Sequence, residues 1–147
     1  MVTDDGLLAC ILAQPDDLTP RLVYADWLEE HAETERAEFI RIQIELSEGD
    51  EYSPRWRQLE ARQEWFLKNR KKQWLAPLKG LTLYARFFRG FVEDVTIYAR
   101  TWLERGDRLL RLTPLRMIRC TLSYGDSHVP LADVLASPAA TSIRCRR

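Results

Sequence analysis

Apolar positions in the first half of the chain recur at helical spacing, and the pattern changes around Pro77 and Gly80. Leu7, Leu8, Ile11 and Leu12 form an i, i+1, i+4, i+5 face that Thr3 can cap, predicting a helix to about Ala13. Pro15 with Asp16-Asp17 breaks it. Thr19-Pro20 reads as an N-cap and a first-turn proline, whose missing N–H leaves nothing unsatisfied there. The second helix then runs from Pro20 to about His31. Leu22, Val23, Ala25, Trp27 and Leu28 are expected on its buried side, with Asp26, Glu29 and Glu30 outward or paired. A third helix, from about Thr34 to Leu46, carries Phe39, Ile40, Gln43, Ile44 and Leu46 in a broad stripe, and Gly49 is a natural stop. Ser53-Pro54 repeats the cap-then-proline signal. It opens a long helix to about Trp74, with Trp56, Leu59, Gln63, Phe66, Leu67, Arg70 and Trp74 along one side.

Residues 81–98 are instead rich in β-branched and aromatic side chains in partial alternation, which predicts two strands around an Arg86–Gly90 connection. Thr101 to Leu112 returns to helix through Trp102, Leu103, Leu109 and Leu110, weakened midway by Gly106. The last third holds a faint repeat. Val95-Thr96-Ile97, Ile118-Arg119-Cys120 and Ile143-Arg144-Cys145 are apolar-polar-apolar triplets 23 and 25 residues apart. Val129 to Ala136, between the last two, has the length of a short helix or a single turn. A strand with a helical return at about 20–29 residues is the leucine-rich-repeat period. Stacking would lay the triplets side by side in a parallel sheet. A stack ending at Arg147 leaves an open strand edge, which points to a longer architecture or to a partner covering it. The expected fold class is α+β: a helical N-terminal half, residues 1–76, followed by a small leucine-rich-repeat-like β/α half, residues 77–147, packed on it.

A chain of 147 residues makes one domain of ordinary size or two small units sharing a core. Its five Trp and 46% hydrophobic content exclude disorder over most of the length. The 22 basic and 22 acidic residues cancel, so a nucleic-acid or membrane role would need a local patch. Cys10, Cys120 and Cys145 lack the short paired spacing of a zinc site and sit among apolar neighbours, which reads as buried cysteines in a reducing compartment. Asp4 and Asp5 stand where a secretory signal needs positive charge, and the apolar run Leu7 to Ala13 is too short to span a bilayer. A cytoplasmic protein without a membrane partner is expected.

The stretch Pro15-Asp16-Asp17, Pro20-Arg21-Leu22-Val23-Tyr24-Ala25-Asp26-Trp27-Leu28-Glu29-Glu30, then Arg36-Ala37-Glu38-Phe39-Ile40-Arg41-Ile42-Gln43 resembles the bacterial repeat-companion domain, a helical module best known from planctomycete proteins that often carry leucine-rich repeats. The likeness covers Leu8 to about Leu46. Family members commonly place Gly-Asp after the double glutamate, where this chain has His31-Ala32-Glu33. Phe88-Arg89-Gly90-Phe91-Val92-Glu93, followed by Pro114-Leu115-Arg116, resembles the region joining that module to its repeats. The resemblance implies a helical cap fused to a repeat-like β/α part, and no reaction.

Candidate chemistry is sparse. Asp16, Asp17, Asp26, Glu29, Glu30 and Glu33 are acidic neighbours, but a hard cation needs several oxygens converging at about 2.0–2.6 Å, and helical spacing sends these apart. Asp26 is placed to pair with Arg21 or Arg36. Gly125-Asp126-Ser127-His128 offers Ser and His in one polar turn, a geometry that does not set a base on a nucleophile. Cys10 with His31 is no better. Phosphate-loop, dinucleotide and kinase motifs are lacking, so neither an enzyme nor a cofactor is expected. The expected function is a protein-binding or scaffolding module acting as an accessory subunit, with another protein as partner. Its anchors are Tyr52, Trp65, Tyr84, Arg86 and Arg89, because aromatic and Arg side chains dominate binding hot spots. Trp27, Trp56 and Trp74 are expected to face the core. The alternative is a nucleic-acid-binding subunit of a nucleoprotein complex. It would use the basic helix end Lys68, Arg70, Lys71 and Lys72 with Trp74 stacking on a base, and Arg144, Arg146 and Arg147 adding charge.

Overall fold

The helices α1 (Asp4–Ala13), α2 (Thr19–Glu30), α3 (Thr34–Glu48) and α4 (Pro54–Asn69) fill the first half of the computed structural model, which describes residues 4–122 and 131–136. A one-turn helix, α5 (Lys71–Trp74), and a 3₁₀ turn (Ala76–Leu78) lead to β1 (Tyr84–Phe88) and β2 (Phe91–Tyr98). Helix α6 (Ala99–Leu112), β3 (Met117–Thr121) and α7 (Leu131–Ala136) follow. The architecture is α+β, N-terminal helices and then a small mixed sheet in the order β1-β2-β3. The chain divides into two units, Met1–Trp74 with Phe88–Phe91 and Leu75–Phe87 with Val92–Arg147.

In the first unit Ile11, Ala25, Leu28, Ala37, Ile40, Ile44 and Phe91 form the central cluster, with Leu8, Leu18, Tyr24 and Trp27 around it. Each fully buried aliphatic side chain of this kind contributes about 1.5–3 kcal/mol. A second cluster packs Phe39, Phe66 and Trp74 in edge-on and tilted ring contacts, with ring centres 4.8–5.9 Å apart. Trp27, Trp56 and Trp74 are all half-buried. Ser53 caps α4 as its sequence signal says, its hydroxyl accepting from Trp56 N–H at 3.0 Å.

Several expectations are corrected here. The α2 start is held by Asp17, whose Oδ1 accepts from Thr19 N–H at 2.8 Å, so Thr19 is the first helical residue and not the cap. Leu22 and Val23 face outward. The buried residues of α2 are Arg21, Ala25 and Leu28, an i, i+4, i+7 stripe that leaves no room for two consecutive positions beside it. The long helix does not continue to Trp74 but breaks at Arg70, and α5 turns Trp74 onto Phe39 and Phe66. Cys10 on α1 and Cys120 on β3 are both exposed, so neither is a core cysteine. The α2–α3 turn closes as a Schellman motif. Glu33 N–H reaches Leu28 O at 2.8 Å and Ala32 N–H reaches Glu29 O at 3.2 Å, with Ala32 at φ 64°, where glycine is usual.

In the second unit β2 and β3 run parallel, with Val95 opposite Ile118, Thr96 opposite Arg119 and Ile97 opposite Cys120. The first two triplets are therefore side by side, joined by one strand–helix–strand crossover through α6. Gly106 is tolerated because it sits on the buried side of α6 with Ala99, Trp102 and Leu109. Thr113 Oγ1 donates to Val92 O at 2.6 Å and Arg116 N–H to Glu93 O at 2.8 Å, setting the return into β3. One such turn is not a leucine-rich-repeat solenoid. The third triplet, Ile143-Arg144-Cys145, His128, Arg146 and Arg147 lie outside the described residues. Among the described residues no helix is long and apolar enough to cross a membrane.

Candidate protein-binding surface

The polar residues of the helical motif converge on the β1–β2 turn within the first unit. Arg89 and Gly90 both take positive φ, 48° and 87°, the signature of a two-residue type I′ hairpin turn. Arg21, 0% exposed, donates from Nη1 to Arg89 O at 2.9 Å and Phe88 O at 3.4 Å, and from Nη2 to Pro15 O at 2.8 Å. Arg36 Nη2 donates to Gly90 O at 2.5 Å. Its guanidinium carbon stands 5.0–5.5 Å from the ring centres of Trp74, Phe39 and Phe91. Burial pulls Arg36 down to about 10, so it stays charged at neutral pH. Gly90 N–H donates to Gln43 Oε1 at 2.8 Å, and Gln43 Nε2 donates to Gln63 Oε1 at 2.9 Å. These groups face main-chain amides, and their chemistry is that of a clamp on a turn.

The surface charges of the same helices are also matched to one another. Asp26 and Glu29 both accept from Arg41 at 2.7 Å, in place of the expected pairing of Asp26 with Arg21 or Arg36, because those two arginines are drawn inward to the turn. Along α3 and α4, Glu45 pairs with Arg55 at 2.9 Å, Glu38 with Arg62 at 2.7 Å, and Glu35 with Arg70. Hydrogen bonds from these arginines hold all three glutamates below the usual carboxylate range. His31 stacks on Trp27, ring centres 4.0 Å apart.

The candidate anchors fall on different elements. Tyr52 is exposed in the α3–α4 turn. Trp65 is exposed on α4, with the Arg62 and Arg70 guanidiniums 4.8 and 5.7 Å from its ring centre. Arg89 is only 8% exposed, because its backbone forms the clamped turn, and this removes it as an outward anchor. Of the basic set, Lys68 is on the last turn of α4 and Lys71 and Lys72 on α5, while Arg70 is paired with Glu35 and Trp74 packs on Phe39 and Phe66.

Tyr84 and Arg86 do come together, on the outward side of β1, where burial alternates with inward Ala85 and Phe87. Arg86 reaches Asp94 Oδ2 on β2 at 3.3 Å, and Arg119 on β3 reaches Asp94 Oδ1 at 2.7 Å. Asp94 is opposite Met117, Thr96 opposite Arg119 and Tyr98 opposite Thr121, so alternate residues of β2 and β3 share this face. Tyr84 is 50%, Tyr98 37% and Met117 48% exposed on it. The Asp94 carboxylate, 7% exposed, is satisfied by two guanidiniums, as a buried charge must be. Sequence reading missed Asp94, Tyr98, Met117 and Arg119. The triplet spacing carried the signal, since aligning Val95 with Ile118 also aligns their outward neighbours.

No family model, curated protein or solved structure matches the chain.

Proposed function

We propose that the chain is a non-catalytic protein-binding or scaffolding module, an accessory or regulatory subunit of a larger complex in the cytoplasm. The observation that carries this reading is the outer face of the sheet, where Tyr84, Tyr98 and Met117 stand exposed beside two arginines fixed on Asp94. Tyr, Met and Arg are enriched at interfaces: Tyr offers large contact area with few rotamers to immobilise, Met a polarizable, adaptable apolar surface, and Arg several donors in a rigid fork. The β2–α6–β3 crossover, with its 23-residue step from Val95 to Ile118, supports a repeat-like half of leucine-rich-repeat type. The clamp residues Arg21, Arg36 and Gln43 give the motif shared with repeat-companion domains a structural purpose, which supports membership of that family without implying a reaction.

The test is capture of partners from the native host with the tagged full chain at low and high salt, reading both protein and nucleic acid. A protein retained at high salt by wild type and lost with Tyr84→Ala/Tyr98→Ala is the expected result. Nucleic acid that is released at high salt, and by Lys71→Glu/Lys72→Glu, overturns it in favour of the basic helix end, since counterion release makes phosphate binding steeply salt-dependent.

A further inference from the structure

Resting on the reading of the sheet face as a binding surface, the geometry points to its occupant: we propose that this face receives a glutamate or aspartate side chain from an extended acidic segment of a partner protein, held between the guanidiniums of Arg86 and Arg119. Two guanidiniums converge on the single carboxylate of Asp94, at 3.3 and 2.7 Å, so the cluster carries one surplus positive charge at the surface. The two arginine side chains are 64% and 52% exposed. Each guanidinium owns five N–H donors; Arg119 gives one to Asp94 and one to the Met117 sulfur at 3.0 Å, while Arg86 is ion-paired with Asp94 at 3.3 Å. The remaining donors are held in place by a carboxylate that is itself buried, so little side-chain freedom is lost when an anion binds.

The charge count selects the anion. One surplus charge matches a monoanionic carboxylate. A phosphoryl group, at about −1.5 to −2, would bring uncompensated charge next to Asp94, and a polyphosphate backbone needs a row of cations, where the described residues place only Arg86 and Arg119 at Asp94. The flanking groups select the rest. Tyr84, Tyr98 and Met117 surround the pair with apolar surface and soft contacts, suited to the side chains that alternate with an acidic residue along an extended peptide.

The probe is a capped hexapeptide of alternating glutamate and leucine, titrated into the full chain while the arginine Nε–H resonances are followed. Saturable shifts at Arg86 and Arg119 are expected, with affinity about tenfold weaker for the glutamine counterpart and for Arg86→Gln or Arg119→Gln. The peptide comparison uses the wild-type chain and so does not depend on the variants folding. Equal binding of the glutamine peptide, tighter binding of a phosphoserine counterpart, or shifts at these arginines from a thymidine oligonucleotide each overturn the inference. If the glutamate peptide fails while captured protein still depends on Tyr84 and Tyr98, the acidic occupant falls and the binding face stands. If capture is indifferent to Tyr84 and Tyr98, the face itself falls.

Discussion

Replacing Gly90 with alanine tests the clamp where it is tightest. The added Cβ would stand 2.7 Å from Ile40 Cγ1 and 2.9 Å from both Ile40 Cα and Cβ, on the middle of α3, where the backbone cannot give way as a side-chain tip could. The residue also sits at φ 87°, which costs an alanine about 1–2 kcal/mol. Overpacking adds about 1–3 kcal/mol. Displacing the turn would further weaken the buried bond from Gly90 N–H to Gln43, worth about 1 kcal/mol net. The sum is about 3–6 kcal/mol, a large fraction of the roughly 5–15 kcal/mol that holds a domain of this size together. Gly80 is the internal control. It too has positive φ, 77°, but an added Cβ meets nothing within 4 Å, so Gly80→Ala should cost only the backbone strain, about 1–2 kcal/mol. Urea unfolding of the full chain, followed by tryptophan fluorescence and far-ultraviolet circular dichroism, measures both. Equal losses for the two variants would refute the close approach of the turn to α3 and the clamp built on it.

Four further outcomes follow from the same contacts. Arg21→Lys keeps the charge but loses the planar fork that reaches Pro15, Phe88 and Arg89 carbonyls, and should cost about 2–4 kcal/mol in urea unfolding; a loss under about 0.5 kcal/mol would be that of a surface residue. Ala32→Gly should stabilise by about 1 kcal/mol, because glycine relieves the positive φ at the end of α2, and an unchanged urea midpoint would contradict that geometry. Glu38 and Glu45 have depressed folded values because they accept from Arg62 and Arg55, so their contribution is complete above the ordinary glutamate value, about 4.3, and is lost as pH falls below it through the lower folded values. As exposed pairs they are worth about 0.5 kcal/mol each, so the Glu38→Gln/Glu45→Gln variant should lose about 2–4 °C less of its melting temperature between pH 7 and 3 than wild type does; parallel curves would discount the pairs. Leu22→Ser and Val23→Ser should stay within about 0.5 kcal/mol of wild type, whereas Leu28→Ala should cost about 2–5 kcal/mol; similar losses at all three would place Leu22 and Val23 in the core after all.

Local pattern was enough for much of the helical half. Apolar spacing announced α1 and α3, Ser53-Pro54 announced the start of α4, and the alternation after Gly80 announced the hairpin, although Arg86, Phe87 and Phe88, expected in its connection, belong to β1 and the turn is Arg89-Gly90 alone. The triplet period anticipated the parallel pairing of Val95 with Ile118. Such features were readable because hydrogen bonding and burial repeat with the period of the element, so a short window holds the whole signal. The fate of charged residues was not readable in that way. Arg21 and Arg36 look like helix-surface cations in their own neighbourhood, and they become buried clamps because a turn 54 to 68 residues away presents three carbonyls to them.

The amino-acid order by itself thus determined where most helices and strands form and which triplets can align. Only the tertiary structure decided that Leu22 and Val23 face water while Arg21 is interior, that Arg70 and Trp74 are engaged within the first unit, and that Arg86, Asp94 and Arg119 meet on one sheet face. The physical reason is range. Periodicity reports how a residue sits on its own element, whereas a guanidinium goes where acceptors converge, and acceptors from distant segments converge only once the chain has folded.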